Sequence, residues 1–268
     1  MKGANTGDVA CDSYHRYQED VALLEALNLN SYRFSISWPR IQADGTGAPN
    51  SKGLDYYKHL ADALGNIWFV DPALHGEYPK AFPGDNPLDL MGIKSGDMEL
   101  CRAPLDFLGI NYYRRQLVSA IPPGAGEDAT GVHNSDAHEG PLTDFAWEVW
   151  PDGFHDLVFR ISREYKTTPL EITENGCSYL DSPDELGRIP DERRIQFLRG
   201  YLHALGRAML HGANVRAYHH WSLMDNFEWA EGYAQRFGLT YVDFRTQKRT
   251  IKDSGHWYAK LASTGSLT

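Results

Sequence analysis

Long apolar runs are missing from this chain. No stretch approaches the ~20 consecutive apolar residues that a membrane-spanning helix needs, and Met1-Lys2-Gly3-Ala4-Asn5 leads into no apolar leader core. The sequence reading therefore excludes a membrane partner and places the protein in the cytoplasm. Basic residues are also short: 26 Lys and Arg stand against 36 Asp and Glu, for a formal net charge of −10. Beyond pairs they do not cluster, which excludes the cationic face that nucleic-acid phosphates require. Only three cysteines occur, Cys11, Cys101 and Cys177, an odd number with no C-x-x-C spacing. That argues against zinc and against a disulfide framework, and leaves them as small hydrophobes. His133 and His138 fall in a polar, Gly-rich stretch and read as solvated side chains, so nothing implies a metal or an organic cofactor. Internal repeats and low-complexity tracts are absent too.

What is present suits one globular domain over residues 1–268. The hydrophobic content of 42% is enough to fill a core, and the length fits a domain of barrel size, typically about 250 residues. From Asp12 a helix is expected, with Tyr17, Val21, Leu24 and Leu27 on one face. Ser31 to Trp38 alternates as a strand, closed by Pro39 and a Gly-rich turn. Arg33 inside it needs a carboxylate partner if that strand is buried. Leu54 to Leu64 reads as a second helix ended by Gly65. Leu105 to Tyr113 reads as a buried strand ending in polar Asn111 and Tyr113. Ser119 to Thr143 lacks any periodicity and is expected to be a long loop. A helix from about Phe154 to Tyr165 then precedes a short strand, Pro169 to Thr173, which delivers Glu174-Asn175-Gly176 at its C-terminal end. The clearest helix carries Ile195, Leu198, Leu202, Leu205 and Met209 on one face, stops at Gly212, and leads into a strand at Val215. Strands alternating with helices predict parallel βαβ units and an α/β fold.

The richest stretch is Val215 to Gly238. A strand of alternating and aromatic residues runs into Trp221-Ser222-Leu223-Met224-Asp225-Asn226-Phe227-Glu228-Trp229, with Phe237 beyond. Sugars offer hydroxyl edges and weakly apolar C–H faces, so a sugar pocket combines carboxylates or amides with flat aromatic walls. Composition alone equally allows buried tryptophans and a solvated acidic loop. Sequence resemblance separates the two: WSLMDNFEWAEGYAQRFGL closely resembles the C-terminal signature of glycoside hydrolase family 1, the family of β-glucosidases and related retaining β-glycosidases. SYRFSISWPRI, FLGINYY, WEVWPDG and PLEITENG are similar to its second, sixth and seventh barrel units.

The resemblance implies a fold derived from the TIM barrel and a retaining β-glycosidase acting on β-glucosides or related small saccharides. Carried over residue by residue, it implies Glu174 as the nucleophile. Arg33 and Tyr113 would hold that carboxylate ionised, one by charge and one by a hydrogen bond. Asn111 would orient the site, Glu228 and Trp229 would bind sugar hydroxyls, and Trp221 and Phe237 would form pocket walls. Retaining hydrolysis also needs a second carboxyl, as acid/base, about 5–5.5 Å from the first. The family carries it in an Asn-Glu-Pro motif on the fourth strand, and this sequence contains no Asn-Glu dipeptide. Counterparts of the first and of the third to fifth strands are missing as well, and the chain passes from the second unit towards the sixth at Gly65-Asn66. About four βα units are recognisable, an incomplete barrel whose open edges would favour association of two chains. Neither Glu148, close to Trp150, nor Glu171, three positions before Glu174 and so not bound to share its face of an extended strand, is a convincing substitute acid.

Overall fold

The computed structural model describes residues 10, 11, 16, 23, 26, 27, 71, 73–77, 94–102, 104–115, 117–120, 132–135, 138–166 and 168–267. The strand expected at Ser31 to Trp38, Arg33 within it, the helix expected at Leu54 to Leu64 and the junction at Gly65-Asn66 lie outside them. In chain order the described elements are α1 (Asp97–Cys101), β1 (Leu108–Asn111), β2 (Leu117–Ala120), β3 (Val132–Ser135), α2 (Pro151–Glu164), β4 (Leu170–Asn175), α3 (Glu192–Leu210), β5 (Val215–His220), a 3-10 turn (Trp229–Glu231), β6 (Thr240–Asp243), β7 (Lys248–Ile251) and α4 (Asp253–Thr264). Among the described residues, no helix is long and apolar enough to cross a membrane.

The chain divides into two compact units. One comprises Met1–Phe34, Phe107–Arg115 and His138–Thr268, and the other Ser35–Asp106 and Gln116–Ala137. In the second unit, β2 and β3 pair antiparallel, Leu117 opposite Ser135 and Ala120 opposite Val132. This corrects the expectation of a plain loop over Ser119 to Thr143. Each strand has only four residues, with Ser, His and Asn among them, too short for a period of two to stand out.

The first unit is built on a parallel sheet of order β1-β4-β5. Helix α2 connects towards β4 and α3 towards β5, the βαβ arrangement read from the sequence. Pro151 opens α2 at the position where its missing N–H costs nothing. Phe154, Val158 and Ile161 are buried along one face, the spacing that an amphipathic helix requires. In α3 the buried stripe runs through Ile195, Leu198, Tyr201, Ala204, Leu205 and Ala208. Met209 is exposed, a correction to the expected face, which turns about one position away. Gly212, with φ +100, ends the helix in the left-handed region that glycine adopts without strain. Leu170 and Ile172 of β4 are fully buried, and the strand reaches Asn175, so Glu174 belongs to the strand rather than to the loop after it. Leu27 donates its N–H to Leu23 O at 2.9 Å, a fragment of the expected first helix.

Beyond Gly238, where the sequence pattern predicts no element, β6 and β7 form a hairpin and α4 follows it. The hairpin and the Val215 to Gly238 stretch are pinned by an enclosed ionic network. Asp225 accepts from Lys252 Nζ at 3.0 Å, from Arg236 Nη1 at 2.9 Å and from the Gly238 N–H at 3.0 Å. Arg194, fully buried, binds Asp191 and Asp181 at 2.9 Å each. It also donates to the carbonyl oxygens of Cys177, Phe237 and Arg236. Burial of so many charges requires mutual pairing, because an isolated one costs several kcal/mol.

Candidate active site

The C-terminal ends of β1, β4 and β5 bring the chemistry together. Asn111 stands opposite Glu174 in the register, and that register slips on both sides of β4 near its end. Such irregularities re-aim side chains at strand ends. Tyr113, just past β1, donates its phenolic hydrogen to Oε2 of Glu174 at 2.6 Å. That is the length of a short O–H···O bond to a carboxylate.

Behind Glu174 lies a braced layer. Asn175, fully buried, donates from Nδ2 to Tyr112 O at 2.7 Å and accepts at Oδ1 from Tyr218 Oη at 2.8 Å. Trp221, directly after β5, donates its N–H to Asn175 O at 2.9 Å. Between them Gly176 leaves no room for a side chain: a Cβ there would overlap the carbonyl oxygen of Trp221. The Trp221-Ser222 peptide bond is cis.

Glu228 is bound by the Trp221 side chain and half enclosed. Burial pushes its carboxyl above the ordinary value, and the neighbouring charges of Glu174 and Glu231 push the same way, against the Trp221 hydrogen bond. The Glu174 contribution means that the two carboxyls feel one another. Phe237 is buried with its ring 6.2 Å from that of Tyr113. Trp229 is 76% exposed and adopts φ +44. Asn111 accepts from Thr173 Oγ1 at 2.6 Å, so its hydrogen bond goes to the strand beside Glu174. Of the expected site residues, then, Tyr113, Glu174, Trp221, Glu228 and Phe237 are drawn together. Asn111, opposite Glu174 in the register, spends its side-chain oxygen on Thr173; Trp229 is open to solvent, and Arg33 lies outside the described residues.

An aromatic wall escaped the sequence reading. Trp147 sits 5.3 Å from Tyr113 and 5.8 Å from Phe237, centroid to centroid, and Phe145 stacks on it at 4.5 Å. Trp147 belongs to the WEVWPDG motif, in which nothing local marks it as a site residue. The same motif disposes of one substitute acid. Glu148 receives Arg115 Nε at 2.7 Å and the N–H groups of Glu139 and Gly140 at 2.6 and 2.8 Å. The Arg115 bond dominates and holds this carboxyl down at about 2, far too acidic to carry a proton near neutrality. Glu171 is engaged by Arg216 at 3.0 Å.

Comparison with known proteins bears on the family and the fold. β-Glucosidase A of Acetivibrio thermocellus is 28% identical over 401 aligned positions, covering 96% of this chain and 88% of the relative. The 1,4-β-D-glucan glucohydrolase of Thermotoga neapolitana is 27% identical, covering 100% and 90%. The structure of the family 1 β-glucosidase from Thermotoga maritima matches with a TM-score of 0.84 at 26% identity, covering 100% of this chain and 90% of that one. Those neighbours are TIM-barrel enzymes, and the three-stranded parallel sheet with its helices is part of such a barrel. A 268-residue chain spread over 401 aligned positions leaves well over a hundred of them unfilled. The model of glycosyl hydrolase family 1 matches in two segments, residues 1–67 and 61–266, which meet where Gly65-Asn66 marks the break. Nearly the whole chain is covered by these two matches, so it belongs to glycosyl hydrolase family 1 with internal barrel segments missing.

Proposed function

We propose that this chain is a retaining β-glycosidase acting on β-glucosides, with Glu174 as the nucleophile that forms a covalent glycosyl-enzyme. The observation that carries the reading is the 2.6 Å bond from Tyr113 to Glu174, with Glu228, itself bound by Trp221, near enough to feel the charge of the same carboxylate. Glu174 attacks the anomeric carbon as the bond to the leaving oxygen breaks, and water later releases the sugar. Trp221 and Phe237 are walls of the sugar subsite, Glu228 and Trp229 bind hydroxyls, Asn111 orients the site, and Arg33 supplies a cation to Glu174. The relatives named as β-glucosidases support a glucoside as substrate. Without the family's acid/base motif the leaving oxygen departs unassisted. General acid catalysis is worth typically 10²–10⁴-fold, so aryl glucosides with acidic phenols outpace alkyl glucosides and disaccharides. In this reading the protein is a cytoplasmic, barrel-derived domain with no nucleic-acid or membrane partner, and two copies associate across the barrel's open edges.

A second reading rests on the break between the two matched segments: a remnant that holds a sugar, or serves assembly, without turnover. Incubation with a 2-deoxy-2-fluoro aryl β-glucoside followed by peptide mass mapping separates them. A fluoroglucosyl adduct on Glu174 supports the enzyme. No adduct, with no turnover of aryl glucosides, supports the remnant.

A further inference from the structure

Away from the site, α2 and the end of α3 bring two imidazoles together. Nε2 of His155 lies 3.0 Å from Nδ1 of His211, the residue that caps α3. Nδ1 of His155 faces Oδ1 of Asp156 at 2.8 Å. A carboxylate accepts only, so His155 carries its proton on Nδ1 and turns the Nε2 lone pair towards His211. Carboxylate backing of an imidazole in this way is how metal-ligating histidines are oriented and made more basic. The rings are also held. Phe159, one turn after His155, stacks on it with an interplanar angle of 13° and meets His211 edge-on. A second tie, the ion pair of Arg207 with Asp152, joins the same two helix ends. The His155 side chain is only 14% exposed, whereas His211 lies at the surface with room to tilt.

We propose that His155 and His211 form a two-imidazole site for a divalent transition-metal ion, Cu²⁺ or Ni²⁺, that clips α2 to the end of α3. With imidazole–metal distances of about 2.0 Å, nitrogens 3.0 Å apart subtend roughly a right angle at a shared ion. That is close to the cis arrangement of square-planar or octahedral coordination, and imidazole donors suit Cu²⁺ and Ni²⁺, with Cu²⁺ ahead of Zn²⁺ in the general order of divalent affinities. Among the described residues no group of three His, Cys, Asp or Glu is placed to hold a metal, so water completes the shell. Binding moves one proton: the hydrogen on His211 Nδ1, which otherwise bridges to His155, is given up, and His211 takes the tautomer protonated at Nε2. The inference is independent of the glycosidase reading.

The test uses tag-free full-length protein and Cu²⁺ alone. Calorimetric titration and pulsed electron paramagnetic resonance are expected to show one ion coupled to two imidazoles. His211→Ala or His155→Gln should weaken binding at least tenfold and reduce the coupling to one ring. Asp156→Asn should weaken it about tenfold, the low end of what loss of a backing carboxylate costs. His203→Ala, on the same helix, should leave it unchanged. Cu²⁺ should raise the melting temperature of wild type but not of His211→Ala. A spectrum with fewer than two imidazoles, or equal weakening by His203→Ala and His211→Ala, overturns the proposal.

Discussion

Tyr113 and Glu174 come from neighbouring strands of one sheet and meet through a single 2.6 Å hydrogen bond. A hydrogen bond to a charged group is worth about 1.5–3 kcal/mol. Tyr113→Phe is therefore expected to lower kcat/KM for an aryl β-glucoside by about ten- to a hundredfold, with little change in melting temperature. Steady-state kinetics beside a thermal melt checks this, and a loss within twofold would mean that the bond carries no catalytic weight.

Glu228 sets binding against stability. Its folded-state pKa is raised, chiefly by burial and further by Glu174 and Glu231. The folded protein thus holds that proton more tightly than the unfolded chain, and stability is lost as pH rises through the carboxylate range. Glu228→Gln, which cannot ionise, should melt higher than wild type at pH 7 and match it near pH 3. It should also weaken inhibition by a glucose-like iminosugar. A melting difference that does not change with pH would contradict the assignment.

His220 acts in the opposite pH direction. Its ring nitrogens are enclosed, with only backbone groups of Phe237 and Asn175 beside them to favour the proton. Burial, reinforced by the Arg194 charge, pushes the imidazole down to about 3. Between there and the ordinary value of about 6.5, only the unfolded chain takes up the proton, so stability falls as pH drops through that window. His220→Leu should gain on wild type as pH is lowered from 7 to 5. Urea unfolding at several pH values measures it, and a constant difference would refute it.

Asp225 answers two cations at once, Lys252 and Arg236. Removing one partner of a buried pair typically costs about 3–5 kcal/mol because the other charge is stranded. Asp225→Asn should lose that order of stability in chemical denaturation. Adding Lys252→Met should restore part of it, and strictly additive losses would argue against direct coupling.

Much of this site could be read from the chain because strand ends announce themselves. Glu174 follows Leu170, Ile172 and Thr173, and Trp221 follows the alternating Val215, Ala217 and Tyr218, so parallel topology brings the two ends together, while the family resemblance supplied their expected roles. The ionic network was not legible. Arg194 lies in the first turn of α3, where an arginine ordinarily faces water, and nothing local distinguishes it from Arg193, which is exposed. Its burial depends on carbonyl oxygens that arrive from residues 177 and 236–237, far along the sequence. Trp147 was missed for a similar reason, since its neighbours Tyr113 and Phe237 come from two other segments. The hairpin of β2 and β3 escaped because pairing, not propensity, makes such short strands.

Gly176 has a consequence for how this site can vary. Because a side chain there would strike the carbonyl of Trp221, the strand that presents Glu174 and the segment that begins at Trp221 are held in close register. Tuning of substrate choice is therefore steered outward, to the loop bearing Glu228 and to the face of Trp147, where side chains can change without prising the two strands apart.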